Sequence, residues 1–204
     1  MKGNEMANKV RHHPGCPAKE IKDTNEKAFQ RAICYGENTF LEGHDRIRWI
    51  DFELPVENNP QARDCCVDLI GEDSNGHYVL CELKFSGKSG RGNGSPQEAG
   101  EQLNRYYMLL LDNVEFFTFH KNVRDTVFDV ERFCQTKPRL LVAADESYWE
   151  RWGKGIKASM VSMCPDVEYY AVPVSSYEFI EQRGDKGRYR PIMPDSGLIW
   201  RRVV

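Results

Sequence analysis

Apolar and polar positions sort most sharply over residues 64–85, DCCVDLIGEDSNGHYVLCELKF. Two runs of strand-forming residues, Cys65–Ile70 and His77–Phe85, flank the turn cluster Glu72-Asp73-Ser74-Asn75-Gly76. A three-residue loop centred on Asn75 sets Asp68 opposite Glu82 and brings Lys84, two positions on, to the same face. The opposite face, Val67, Leu69, Val79, Cys81, Leu83 and Phe85, is continuously apolar and is expected to be core. The first face is apolar at Ile70, Tyr78 and Leu80 and ends in Asp68, Glu82 and Lys84. A slip of one residue would set Asp68 against Leu83 instead.

The same reading along the chain predicts further elements. Residues 19–35 read as a helix with Ile21, Phe29, Ala32 and Ile33 on its apolar side, and Glu26 falls on that side at helical spacing. A strand follows over Arg46–Phe52. Residues 97–112, QEAGEQLNRYYMLLLD, form a strong helix led in by Pro96, with Gln102 and Tyr106 four apart on one face. VEFFTF (114–119) reads as a strand, and residues 123–135 as a short helix or irregular segment. Arg139–Ala144 reads as a buried strand, residues 145–163 as a helix capped by Asp145, and Glu168–Val174 as another strand. Strand, helix, strand suggests a crossover between parallel neighbours.

Composition narrows the picture. A chain of 204 residues accommodates one α/β domain with tails. Residues 1–18 are expected to be a flexible N-terminal tail, residues 19–182 the domain, and residues 183–204 a C-terminal extension. The net charge of −3 gives no global basic field, so a nucleic-acid partner would have to meet a local patch. Lys88 and Arg91, in the Gly/Ser-rich stretch directly after Lys84, would supply cations for phosphate contact. The seven cysteines show no framework spacing and suggest a reducing, cytoplasmic setting. No apolar run is long enough to span a membrane, and the start of the chain lacks a signal-peptide core. His12, His13 and Cys16 lack the second ligand pair of a zinc pattern.

Two carboxylates and an amine at one end of a buried sheet are costly unless they pair or bind a metal. A solvated Lys–carboxylate pair is the plainer alternative. Taken in order, Glu26 in NEKAF, Asp68 in CCVDLIG, Glu82 and Lys84 in LCELKF, and Gln102 and Tyr106 in EQLNRYY resemble the PD-(D/E)xK nuclease superfamily. The resemblance is to its RecB-like members with a QxxxY helix. GHYVLCELK with EQLNRY is also similar to the archaeal-type NucS endonucleases. Val67, not Pro, precedes Asp68, and Glu20 and Glu37 are alternatives to Glu26.

The resemblance implies a restriction-endonuclease-like α/β core, a central mixed β-sheet flanked by helices. It implies that Asp68, Glu82, the Leu83 carbonyl and Glu26 ligate Mg²⁺ or Mn²⁺. Lys84 would position water or stabilise transition-state charge, while Gln102 and Tyr106 would orient the site or touch nucleic acid. The implied activity is phosphodiester hydrolysis, with DNA as the expected substrate and RNA left open. A homodimer is one arrangement that would supply two sites for a duplex. The competing class is a silent binding module on the same scaffold.

Overall fold

The computed structural model of the chain describes residues 29–30, 33–34, 38–43, 46–56, 65–85, 94–114, 129–152, 163–173, 177–180, 188–191 and 199–204. The central hairpin is β3 (Cys66–Glu72) and β4 (Tyr78–Lys84). Its register runs from Leu69 opposite Cys81 to Glu72 opposite Tyr78, the one expected for a loop centred on Asn75. The turn is built locally. Asp73 Oδ1 accepts the N–H groups of Asn75 at 3.0 Å and His77 at 2.9 Å. Gly76 takes φ +83°, a conformation glycine adopts without a Cβ penalty.

β1 (Asn38–Leu41) and β2 (Arg46–Pro55) precede this hairpin. After it come α1 (Pro96–Asp112), α2 (Val130–Gln135), β5 (Arg139–Asp145), α3 (Glu146–Trp152) and β6 (Val167–Val172). β7 (Tyr177–Ile180), β8 (Arg188–Pro191) and β9 (Ile199–Arg202) complete the order. β4, β5 and β6 are parallel neighbours, and α3 lies in the crossover from β5 to β6, as the strand–helix–strand pattern predicts. Of the expected strand over 114–119 only Val114 is among the described residues, and the N-terminal tail lies outside them. None of the described helices is long and apolar enough to cross a membrane.

The expected architecture, a central mixed sheet flanked by helices in the restriction-endonuclease-like manner, is corrected by the way the sheet ends. Seven strands close into a mixed barrel in the order β1-β2-β3-β4-β5-β6-β9. β9 makes the closure. It pairs antiparallel with β6, Tyr170 opposite Arg202, and parallel with β1, Phe40 opposite Ile199. Both edges that an open sheet would leave to solvent are thereby paired. β8 pairs with β7 in a separate two-stranded sheet. Residues 183–204 therefore contribute a barrel strand as well as β8.

Two apolar layers follow from the alternation along each strand. Every barrel strand contributes to the inner one: Leu41, Ile47, Trp49, Phe52, Leu69, Val79, Cys81, Leu141, Ala143, Tyr170, Val172 and Trp200. Phe29, Ile33 and Cys34, from the helical residues near the start of the described chain, join the same cluster. The outer layer packs Ile70, Tyr78, Leu80, Leu140, Val142 and Tyr169 beneath Ala99, Leu103, Tyr106 and Leu110 of α1 and Phe133 of α2. Val67, expected on the inner face with Leu69, belongs to this outer layer. Its partner across β2–β3 is Leu54, also in the outer layer. Between Leu54 and Phe52 lies Glu53 at φ +50°, which turns the strand and re-aims the pair.

Candidate functional site

Asp68, Glu82 and Lys84 come together at the end of β3–β4 nearest α1. Glu82 continues the face of β4 that carries Leu80, and Asp68 lies one residue beyond the last regular pair of β3–β4. The regular pairing stops at Leu69 and Cys81, and beyond it the Asp68 side chain takes over. Its Oδ2 accepts the Leu83 N–H at 2.7 Å. Glu82 is buried, and its Oε1 accepts from Lys84 Nζ at 2.7 Å. The Lys84 side chain is only 12% exposed, so this ion pair is largely withdrawn from solvent. A buried pair of this kind is held by geometry, and removal of one partner strands the other charge.

Gln30 is the residue that reaches Asp68 from the helical residues before β1. Its Nε2 donates to the Asp68 carbonyl at 2.6 Å and to Asp68 Oδ1 at 3.2 Å. Glu26 was expected on this helix side but lies outside the described residues, as do Lys88 and Arg91. Gln30 stands four positions after Glu26. The helical period therefore contained the signal that would have found it, because i and i+4 share a face. A second residue absent from the sequence reading is Glu53. The β2–β3 register places it across from Asp68, between the pairs Phe52–Leu69 and Leu54–Val67. A left-handed backbone on a residue with a Cβ costs about 1–3 kcal/mol, and such strain concentrates at functional sites. Asp145, the expected helix cap, is the buried last residue of β5 and stands directly before Glu146, the first residue of α3; it lies one position beyond the Ala144 that faces Lys84.

α1 presents Gln102 and Tyr106 as the spacing predicts. Gln102 Nε2 donates to the Tyr106 hydroxyl at 3.0 Å, and the tyrosine is buried against the outer layer. Burial pushes the Tyr106 hydroxyl above its ordinary value, and the nearby Glu82 charge adds to the rise. The Tyr106 hydroxyl therefore lies within electrostatic reach of Glu82. Tyr148 of α3 is raised for similar reasons, burial first and the charges of Glu98 and Glu82 after it. Its hydroxyl donates to the Gly94 carbonyl at 3.1 Å and so ties α3 to the lead-in of α1. Cys81, directly before Glu82, is buried inside the barrel. Desolvation, followed by the Asp68 and Glu82 charges, lifts its thiol well above the ordinary range, so it packs as a neutral side chain.

Among the described residues, no group of three or more His, Cys, Asp or Glu side chains converges to hold a metal ion. The Asp68 and Glu82 carboxylates are donors of the type that a hard cation such as Mg²⁺ takes. That ion characteristically takes one or two protein carboxylates and fills its shell with water and substrate oxygens. No family model, curated protein or solved structure matches this chain.

Proposed function

We propose that the chain is a metal-dependent nuclease whose centre is Asp68, Glu82 and Lys84. The supporting observation is the buried Glu82–Lys84 pair at 2.7 Å beside an Asp68 fixed by the Leu83 N–H. Asp68 and Glu82 would hold Mg²⁺ or Mn²⁺, with the Leu83 carbonyl and Glu26 as further oxygen donors. When bound, such an ion would supply charge neutralisation at the phosphate and a more acidic water. Lys84 orients that water and offsets charge on the phosphate oxygens as the new P–O bond forms and the ester P–O bond breaks. Gln30 fixes the Asp68 carboxylate from the back, and Gln102 and Tyr106 border the site from α1. DNA is the proposed substrate, and a homodimer would place two such centres on a duplex.

A second reading is a nucleic-acid or protein binding module with a silent centre. It is favoured by the bonds that Asp68 and Glu82 already make to Gln30, Leu83 and Lys84. A cleavage assay separates the two. Labelled single- and double-stranded DNA and RNA are incubated with Mg²⁺, Mn²⁺ or EDTA, beside Lys84→Ala and Asp68→Asn. The nuclease reading expects cleavage that needs metal and falls at least about 100-fold in each variant. It also expects saturating metal to raise the melting temperature of the wild type but not of Asp68→Asn. Absence of both cleavage and metal stabilisation would leave the binding module.

A further inference from the structure

The outer face of β2, β1 and β9 carries a basic and aromatic strip away from the carboxylate centre. Alternation forces it outward. Thr39, Leu41, Ile47, Trp49 and Trp200 are buried, and Trp49 Nε1 donates to Thr39 Oγ1 at 2.8 Å inside the barrel. Phe40, Arg46, Arg48, Ile199 and Arg201 therefore face out, and all five are exposed. Only four large hydrophobic residues are exposed among the described residues, and two of them, Phe40 at 36% and Ile199 at 46%, are register partners. On its other side Phe40 is the register partner of Arg46. The row Arg46–Phe40–Ile199 thus spans about 10 Å across three strands, with Arg201 about 6–7 Å further along β9.

Among the described residues, one arginine of this face has a carboxylate partner and two have none. Arg48 is held by Glu72, Nη2 to Oε2 at 2.6 Å, but Arg46 and Arg201 make no ion pair with another described residue. Glu42, at the same end, accepts the Arg202 main-chain N–H at 3.0 Å. On a chain of net charge −3 this is a local cationic strip with a ring at its centre.

We infer that this face binds single-stranded nucleic acid, with phosphates on Arg46 and Arg201 and an unpaired base on Phe40. Arginines track the backbone without sequence preference, and an exposed ring on a strand is a platform for any base. A duplex would keep its bases stacked within and leave Phe40 without a partner. The inference rests on the nuclease reading for its choice of partner and adds where the strand is held.

The test is fluorescence anisotropy of the full chain with labelled oligo-dT and oligo-rU in EDTA, between about 50 and 200 mM salt. The double variant Arg46→Glu/Arg201→Glu is expected to weaken binding at least tenfold, roughly the loss of two phosphate contacts. It should lower the salt slope by about 0.7 per arginine. Phe40→Ala is expected to weaken binding about fivefold or more. Circular dichroism confirms folding, and Arg46→Gln/Arg201→Gln replaces the reversal if that variant is unstable. The relative affinities for the two oligonucleotides tell DNA from RNA. Wild type that binds neither, or variants that bind as wild type does, overturns the inference. Oligonucleotide binding that is lost in the strip variants supports the strip even where the wild type cleaves nothing, so the two readings fail separately.

Discussion

Gly71 shows how tightly single positions are set. A Cβ there would stand 2.7 Å from Ile47 Cγ2, 2.9 Å from Trp49 Cε3 and 3.0 Å from the Arg48 carbonyl. The Trp49 ring lies where any side chain would go. Gly71→Ala is expected to cost about 1–3 kcal/mol by overpacking, read from the midpoint of urea unfolding. Next to it, Glu72 bridges Arg48 and Arg132. Burial raises its pKa, but the two arginines outweigh that and hold it below the ordinary 4.5. A depressed carboxylate pKa adds stability above the unfolded value, and that stability fades as pH falls through the folded one. Glu72→Gln should therefore be less stable than wild type at neutral pH, by about 1 kcal/mol for a partly exposed pair. The gap should close as the pH drops below about 4.5, the ordinary glutamate value. Equal pH profiles for the two proteins would refute this. Asp68, Glu82 and Lys84 were legible at this scale because the Asn-Gly turn sets the hairpin register. Glu53 was not, since a left-handed glutamate leaves no mark on the pattern of apolar residues.

The element that matters most to the centre is α1, which carries Gln102 and Tyr106. It begins with a reciprocal cap: Ser95 Oγ accepts from the Glu98 N–H at 3.2 Å, and Glu98 Oε2 accepts from the Ser95 N–H at 2.6 Å. That bond to the Ser95 main chain holds the Glu98 carboxyl below its ordinary range. One turn on, Gly100 lets the helix press onto β6, because a Cβ would meet the Tyr169 hydroxyl at 2.7 Å and Cys164 Sγ at 3.1 Å. Ser95→Ala is expected to cost about 1 kcal/mol. Gly100→Ala is expected to cost about 1–3 kcal/mol, because close approach outweighs the higher helix propensity of alanine. If Gly100→Ala were the more stable protein in thermal melts, the packing of α1 on β6 would be wrong. α1, β5 and β6 were readable because their apolar periods are long and uninterrupted. α2 reads from the sequence as helix or irregular segment alike, since the six residues VERFCQ offer one buried side chain, Phe133.

Closure of the barrel belongs to the whole molecule and could not be read locally. β9 has four residues in a Pro/Gly-rich stretch, and its burial pattern shows one buried position, Trp200. Its partners, β6 and β1, are far away in sequence, and no local pattern announces the pairing. The Trp200 ring lies 5.6 Å from that of Trp49, across the interior from β2. Trp200→Ala is expected to cost about 3–5 kcal/mol and to admit a hydrophobic dye such as ANS. A variant that keeps wild-type stability would show that β9 is an ornament on an open sheet. The resemblance pointed to that open sheet because its motif residues all lie between 26 and 106, on elements that do not include β9. The placement of β9 also has a consequence for synthesis. Glu42 and Arg202, bonded across the closing seam, are 160 positions apart in the chain. A ribosome that has delivered β1 to β6 has delivered six strands of a seven-stranded wall, with two bare edges and an unsealed interior. The nascent chain must wait in that state, open to chaperones and proteases, until Trp200 emerges from the exit tunnel.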